Sequence, residues 1–189
     1  MSNAVSAMNG ASFKGSVAIK DTGLQGMITL RGDFKSAAVA KAVKAATGTT
    51  LPETGQILHS TKGSAAWMSP DELLLLVDYS KVDAIVAKLN KDLADKHTLV
   101  VNVSDARAMF EIKGTATRDI IAKGSPANMS KDALPVGVMR RSRVGQLAVA
   151  FWMDDEKTAR MVCFRSVGEH VFLWLKNASQ KGSLPKYHT

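Results

Sequence analysis

The chain has 189 residues, of which 46% are hydrophobic and 22% are charged, and its formal net charge is +8. These fractions are ordinary for a globular protein, and the length fits one or two domains. No apolar run approaches the roughly 18 residues of a membrane span, and the N-terminus has no secretory pattern. The single cysteine, Cys163, excludes a disulfide framework. We therefore predict a cytoplasmic protein with no membrane association.

The excess of positive charge favours acidic partners in general. The basic residues are scattered, and the densest group is Arg140, Arg141 and Arg143, with no aromatic residue among them. Nucleic-acid surfaces usually combine a concentrated basic patch with a recognisable motif, and neither is present. We expect a solvated surface or a contact with an acidic protein, and no nucleic-acid partner.

The first regular elements follow a small, polar segment, residues 1–23, which we predict to be flexible. The sequence MITLR at residues 27–31 alternates as a strand does. Gly32 ends this strand, and Asp33 is placed to cap the next helix. That helix, SAAVAKAVKAA, is predicted to stop near Gly48.

Two short strands are predicted next, around Ala66 and Leu74, with a turn at the Ser-Pro-Asp sequence of residues 69–71. The run LLLLV at residues 73–77 does not alternate, which indicates a strand covered on both faces. Ser80 is predicted to cap a second helix, and a further strand, TLVVNV, follows at residues 98–103.

The same order of elements recurs in the second half of the chain. MFEIKG at residues 109–114 has the pattern of MITLRG, a short helix ends at Gly124, and two strands precede a final helix that Ser166 is placed to cap. The landmark pairs lie 82, 83 and 86 residues apart: Gly32 with Gly114, Leu51 with Leu134, and Ser80 with Ser166. The alternative is coincidence among common turn and cap residues.

We interpret the recurrence as a duplication. It predicts an α+β fold of two ferredoxin-like βαββα units, residues 24–103 and 104–180, with antiparallel sheets that carry their helices on one face. Residues 181–189 form the predicted C-terminal tail.

The residue types that usually carry catalysis form no recognisable constellation. The four histidines lack metal-ligand spacing, and Cys163 lies in the apolar strand MVCF, where we expect an inert buried thiol. The carboxylate pairs fall in predicted solvated turns, a poor environment for general acid–base work. No phosphate-binding loop or nucleophile elbow occurs. We therefore predict no catalytic, cofactor-binding or metal site in this chain.

The most unusual feature is VFLWL at residues 171–175, because five consecutive apolar residues cover the whole circumference of a helix. Burial within the domain and contact with another protein both explain it, since aromatic residues are enriched in interface cores. The interface hypothesis names Phe172, Trp174 and Leu175, together with Trp67. Arg31, Asp33 and Arg165 would form a charged rim, although caps and local ion pairs explain these three equally well.

Several stretches together resemble the gamma subunit family of heterotetrameric bacterial sarcosine oxidase. The resemblance covers roughly residues 24–180, and the aromatic-SPDE-leucine run and the FRS-to-WL ending are its specific parts. The stretches are MITLRGD at 27–33, WMSPDELLLL at 67–76, VVNVSDARAMFEIKG at 100–114, LPVG at 134–137 and FRSVGEHVFLWL at 164–175.

The resemblance implies a fold similar to the folate-binding part of aminomethyltransferases. It also implies assembly with alpha, beta and delta subunits into a complex that oxidatively demethylates sarcosine to glycine, forms hydrogen peroxide and passes the one-carbon unit to tetrahydrofolate. The holoenzyme's FAD, FMN, NAD, folate and zinc sites would lie in the other subunits. This chain would be a scaffold with no catalytic residue.

Two alternatives stay open at the level of sequence. Similar subunits occur in N-methylglutamate dehydrogenase and other N-methyl amine demethylases, and the sequence of a scaffold does not identify the substrate. A free-standing folate-binding module is the other alternative, which would need its own folate pocket.

Overall fold

The computed structural model describes residues 4–187 and divides the chain into two compact units. One unit, which we call the continuous unit, is Gln25–Ser104. The other, the split unit, combines the residues up to Leu24 with those from Asp105 onward. No helix of the described residues is long and apolar enough to cross a membrane.

The N-terminal part of the split unit forms two strands, β1 (Ser12–Lys14) and β2 (Ala18–Asp21). The prediction of a flexible segment at residues 1–23 is wrong for both strands, while residues 1–3 lie outside the described part. The short polar sequence gives little strand signal of its own. A sheet partner about ninety residues away supplies the missing stabilisation, because β2 pairs with β8 (Arg107–Lys113).

Asp21 anchors the segment that precedes these strands. Its carboxylate is buried and accepts hydrogen bonds from the Ser6 hydroxyl and from the amides of Met8 and Gly10, the latter two at 3.2 and 3.1 Å. A buried carboxylate requires such donors, because an unpaired charge away from water is costly. One side chain therefore fixes the course of the whole N-terminal loop.

The continuous unit follows the predicted order of elements. It contains β3 (Gly26–Arg31), α1 (Ala37–Thr47), β4 (Ile57–His59), β5 (Ser64–Ser69), β6 (Glu72–Val77), a 3₁₀ turn (Tyr79–Lys81), α2 (Val82–Asp92) and β7 (Leu99–Asn102). Its antiparallel sheet has the order β4-β5-β6-β3-β7. Strand β4 was not predicted.

The core of the continuous unit lies between this sheet and the two helices. Ile28, Leu30, Leu73 and Leu75 pack there with apolar residues of α1 and α2. Leu74 points to the opposite face of β6 and is also buried, which confirms the prediction of a strand covered on both faces.

The start of α2 differs from the prediction. Asp78 caps the 3₁₀ turn that precedes the helix, because its carboxylate accepts from the Ser80 amide at 2.9 Å and from the Ser80 hydroxyl at 2.7 Å. The N-cap position of α2 itself is Lys81, which makes no side-chain capping bond. Asp83 accepts instead from the side chain of Asn102 at 2.8 Å. A 3₁₀ turn before the helix moves Ser80 off the cap position. The end of α1 agrees with the prediction, since Gly48 takes the left-handed conformation that favours glycine, with φ of 78°.

The split unit continues with β8, α3 (Thr117–Ala122), β9 (Met139–Val144), β10 (Leu147–Met153), β11 (Thr158–Phe164), a 3₁₀ turn (Arg165–Val167) and α4 (Gly168–Ala178). Its sheet has the order β1-β2-β8-β11-β10-β9. The three clustered arginines lie on β9, an unpredicted edge strand whose charge opposes edge-to-edge association.

The two sheets share one arrangement around their central strands. Strand β8 has β11 on one side and β2 on the other, just as β3 has β6 and β7. Strand β7 comes after β3 in sequence, at the end of the continuous unit, whereas β2, in the equivalent place beside β8, comes before β8. Both units are thus antiparallel sheets with helices packed on one face, and the predicted α+β fold class is confirmed.

Candidate functional site

Helix α4 carries three of the residues proposed for a partner interface. Phe172 and Leu175 are buried in the core of the split unit, and the Phe172 ring lies 6.0 Å from that of Phe110, between centroids. Their assignment to an exposed interface is therefore wrong. The buried side of α4 is wider than a single apolar stripe, so it takes up several residues of the VFLWL run. Leu173 is the exposed member of that run, at 50%.

The two tryptophans of the hypothesis are half-buried. Trp174 packs against the core of the split unit and over Gly124, where any side chain larger than hydrogen would overlap the indole ring. Trp67 lies on β5 next to an irregularity between Trp67 and Ser69, and its amide donates to the Gln56 carbonyl at 2.9 Å. Each ring thus leaves only part of its surface for a partner.

Arg165 has a partner within its own unit. Its guanidinium donates to the carbonyls of Val5 and Ser6, at 3.0 and 3.3 Å. This cation therefore helps to fix the same N-terminal loop that Asp21 anchors.

The remaining two residues of the hypothesis, Arg31 and Asp33, lie together in the continuous unit. They border an open recess of about 740 Å³ at the end of β3, beside the start of β7. We call it the strand-end recess. Its lining residues are Arg31, Gly32, Asp33, Asp71, His97, Thr98 and Leu99.

The recess carries an exposed network of charges. The guanidinium of Arg31 lies 3.1 Å from the carboxylate of Asp71 and 3.8 Å from that of Glu72. The Ser69 hydroxyl donates a hydrogen bond to Asp71 and lowers the pKa of this carboxylate below its usual value. The positive charge of the nearby Arg31 lowers the pKa further. The carboxylate thus stays ionised, and the recess presents both signs of charge close together.

Local geometry explains the sequence Arg31-Gly32-Asp33. The Gly32 amide donates to the Asp71 carbonyl at 3.0 Å, and a side chain at Gly32 would collide with Thr98. Asp33 accepts from the Lys35 amide at 2.9 Å and so shapes the turn before α1. The turn interpretation of this tripeptide is supported, while the N-cap itself is Ser36.

Strand β7 forms one wall of the recess and one edge of its sheet. It pairs with β3, and within the described residues no strand lies on its other side. Leu99 and Val101 are exposed at 51% and 39%. An open edge with apolar side chains is a surface that favours association. Sequence reasoning missed these residues, although TLVVNV was a signal because it carries apolar residues on both faces.

Cys163 and Asp154 carry side chains of types often used in catalysis, and both are engaged in contacts that maintain the fold. Burial raises the pKa of the Cys163 thiol to about 12, as expected for an unreactive core cysteine. The Asp154 carboxylate accepts from Arg160 and from the Trp152 indole, at 2.7 and 2.8 Å. Within residues 4–187 no group of three or more histidine, cysteine and carboxylate residues is placed to hold a metal ion.

Arg118 is a buried cation that the sequence did not reveal. It donates through Nη1 to the carbonyls of Met129, Ser130 and Leu134 and so ties down the loop before β9. Burial lowers its pKa. Its Nε and Nη2 have no hydrogen-bond partner among the described residues.

Comparison with known sequences identifies the family. Residues 31–181 match the model of the sarcosine oxidase, gamma subunit family. The chain is 28% identical over 177 residues to sarcosine oxidase subunit gamma of Corynebacterium sp. (strain P-1), covering 91% of this chain and 84% of that one. It is 25% identical over 181 residues to the Arthrobacter sp. subunit, covering 95% and 88%.

Comparison with solved structures agrees at the level of the fold. A chain of heterotetrameric sarcosine oxidase from Corynebacterium sp. U-96 superposes with a TM-score of 0.80 at 23% identity, covering 93% of this chain and 90% of that one. Aminomethyltransferase T from Bartonella henselae gives 0.59 at 12% identity, covering 80% and 43%. The fold resemblance expected from sequence is therefore confirmed, and the chain belongs to the sarcosine oxidase gamma subunit family.

Proposed function

We propose that this chain is the gamma subunit of a heterotetrameric sarcosine oxidase and acts there as a non-catalytic scaffold. The family match over residues 31–181 carries the proposal. The surroundings of Cys163, Asp21 and Asp154 support the scaffold role, because each of these groups is engaged in maintaining the fold.

The complex would oxidatively demethylate sarcosine to glycine, with hydrogen peroxide as a product and tetrahydrofolate as the acceptor of the one-carbon unit. The proposed partners are the alpha, beta and delta subunits, in which FAD, FMN, NAD and zinc would be bound. The proposed compartment is the cytoplasm. We also propose that the chain consists of two repeats, residues 24–103 and 104–180, which the shared order of strands supports.

The strand-end recess and the open edge of β7 are the proposed docking surface of the continuous unit. Arg31 and Asp33 remain its charged residues, and Leu99 and Val101 add the apolar surface. Charged groups around a small apolar centre fit the usual anatomy of a protein interface. Trp67 and the exposed part of Trp174 remain separate candidates.

The test is co-expression of the chain with the other three subunits, followed by affinity purification and an assay of sarcosine-dependent peroxide formation. We expect Leu99→Asp and Arg31→Glu to weaken assembly at least tenfold. Leu173→Asp and Lys41→Glu are the matched controls, because each introduces the same acidic residue in place of a leucine or a cation at an exposed position outside the recess. Equal assembly of all four variants would reject this docking surface.

The same purification separates the alternatives. Activity on another N-methyl amino acid in preference to sarcosine would assign the complex to a related demethylase. A chain that binds tetrahydrofolate alone and captures no other subunit would instead be the free-standing folate-binding module. We expect the isolated chain to be colourless and inactive on sarcosine.

A further inference from the structure

A groove between α1 and α2 of the continuous unit has no assigned role. Its volume is about 300 Å³, at the lower end of the range for ligand pockets. The floor is apolar, formed by small alanines of both helices together with Ile85 and Leu89. Lys62, Lys81 and Lys88 stand around it with a single carboxylate, Asp92.

The split unit contains a matching position that is filled. Helices α2 and α4 both have 11 residues and both follow a three-residue 3₁₀ turn, so the seventh residue of each is equivalent. That residue is Trp174 in α4 and Lys88 in α2. Trp174 packs its indole over Gly124, just after α3, whereas Lys88 pairs with Asp92 of its own helix at 2.6 Å.

The difference indicates what the groove lacks. In the split unit a large aromatic side chain covers the glycine just after α3, and in the continuous unit Ala45 and Ala84 remain exposed at the groove. An apolar concavity of this size gains stability when a bulky apolar group enters, in proportion to the area removed from water. The natural occupant is therefore one aromatic or large aliphatic side chain.

The charges around the groove restrict the source of that side chain. Lys88 pairs with Asp92 and Lys81 lies 3.7 Å from Asp78, while Lys62 donates to the Ala45 carbonyl. The groove is thus lined by three lysines and Asp92, and with Asp78 beside Lys81 the local excess is one positive charge. A segment with carboxylates flanking its apolar residue matches this pattern, and one with flanking lysines is repelled.

Within residues 4–187, the two nearest candidates in the chain itself do not fit this description. Its C-terminal tail has the exposed Tyr187, but Lys181 and Lys186 accompany it. The acidic turn at residues 154–156 follows Trp152 and Met153, which are buried. With a net charge of +8, two copies of the chain also repel each other.

We propose that the groove between α1 and α2 binds an acidic segment of another subunit of the complex, which inserts one bulky apolar side chain between Ala45 and Ala84. The proposal rests on the function proposed above and adds a second contact, separate from the strand-end recess. The groove acts as a receptor for a short motif, and its lysines select the charge of that motif.

The test fills the groove from within. Lys88→Trp places at this position the residue found in α4, and we expect at least a tenfold loss of assembly with the other subunits at unchanged or higher thermal stability. Lys91→Trp is the control, since it makes the same change on the same helix outside the groove, and it should assemble as wild type does. If Lys88→Trp unfolds, the double variant Lys62→Glu/Lys81→Glu replaces it, with Lys41→Glu/Lys91→Glu as control.

The outcomes separate the two proposals. Failure of the wild-type chain to co-purify with the other subunits would overturn the proposed function itself. Normal assembly of the wild type and of every groove variant would leave that function intact and overturn the groove proposal. Zero-length carbodiimide coupling should also link Lys62, Lys81 or Lys88 to a carboxylate of the partner, and links confined to lysines elsewhere would contradict the proposal.

Discussion

Replacement of Phe172 by alanine tests whether α4 is a core helix or a docking helix. The ring retains only 7% of its accessible surface and faces Phe110 in the core of the split unit. A buried phenylalanine truncated to alanine typically costs about 3–5 kcal/mol, from lost transfer free energy and the cavity left behind. At about 3 °C per kcal/mol for a chain of this size, we expect a fall of roughly 12 °C in Tm.

The neighbouring Leu173 provides the control, because it lies on the same helix and is 50% exposed. Leu173→Ala should change the free energy of unfolding by no more than about 0.5 kcal/mol. Urea unfolding followed by circular dichroism measures both variants, and the urea dependence should stay the same if only stability changes. A loss below about 1 kcal/mol for Phe172→Ala, or equal losses for the two variants, would refute the core assignment.

Three further predictions concern the split unit. Asp21→Ala should expose residues 4–20 to limited proteolysis and destabilise the chain by about 2–3 kcal/mol, since hydrogen bonds to a buried charge are lost; unchanged cleavage would contradict the anchor. Cys163 should resist alkylation until the chain unfolds. Because its folded pKa is raised from 9.0 to about 12, its contribution to stability is complete below pH 9 and is lost as the pH rises toward 12. The free energy of unfolding of the wild type should therefore fall more between pH 8 and pH 10.5 than that of Cys163→Ala, as measured by urea titration at both pH values. Gly124→Ala should cost about 1–3 kcal/mol through overlap with the Trp174 ring, and Trp174→Phe should recover part of the loss in a double-variant cycle.

Local signals in the sequence predicted the regular elements well. The unbroken apolar run in β6, the glycine at the end of α1 and the alternation in β3 each reflect interactions within a few residues. The order of elements and the antiparallel α+β class follow from such signals. The duplication itself stays a prediction, supported by the matching strand orders.

The failures share a physical cause, which is dependence on distant partners. Strand β2 is stabilised by β8, and nothing in its four residues announces this pairing. Phe172 and Leu175 looked excessive for one helix face because the amount of core available to α4 is set by strands elsewhere in the chain. Asp78 caps the 3₁₀ turn, and this turn shifts the start of α2 by one residue, to Val82, so that Lys81 takes the N-cap position predicted for Ser80, a detail that capping patterns do not resolve.

The residues of the proposed docking surfaces were the least predictable. Arg31 and Asp33 were correctly placed together at a strand end, but the recess also depends on His97 and Leu99, which only the fold brings beside them. The groove between α1 and α2 exists because position 88 holds a lysine and not a bulky apolar side chain. This difference between Lys88 and Trp174 becomes visible when the two units are compared.

The position of β2 in the chain has a consequence for biosynthesis. Strand β2 leaves the ribosome well before its partner β8, which begins 86 residues after β2 ends, with the whole continuous unit between them. Because translation proceeds at roughly 5–20 residues per second, β2 is made several seconds before β8 is available for pairing. The continuous unit can mature during that interval, whereas the split unit is completed only when the last helix has been translated. Strands β1 and β2 are therefore translated before the continuous unit but complete their sheet after it, and a change in these strands acts on a late step of folding.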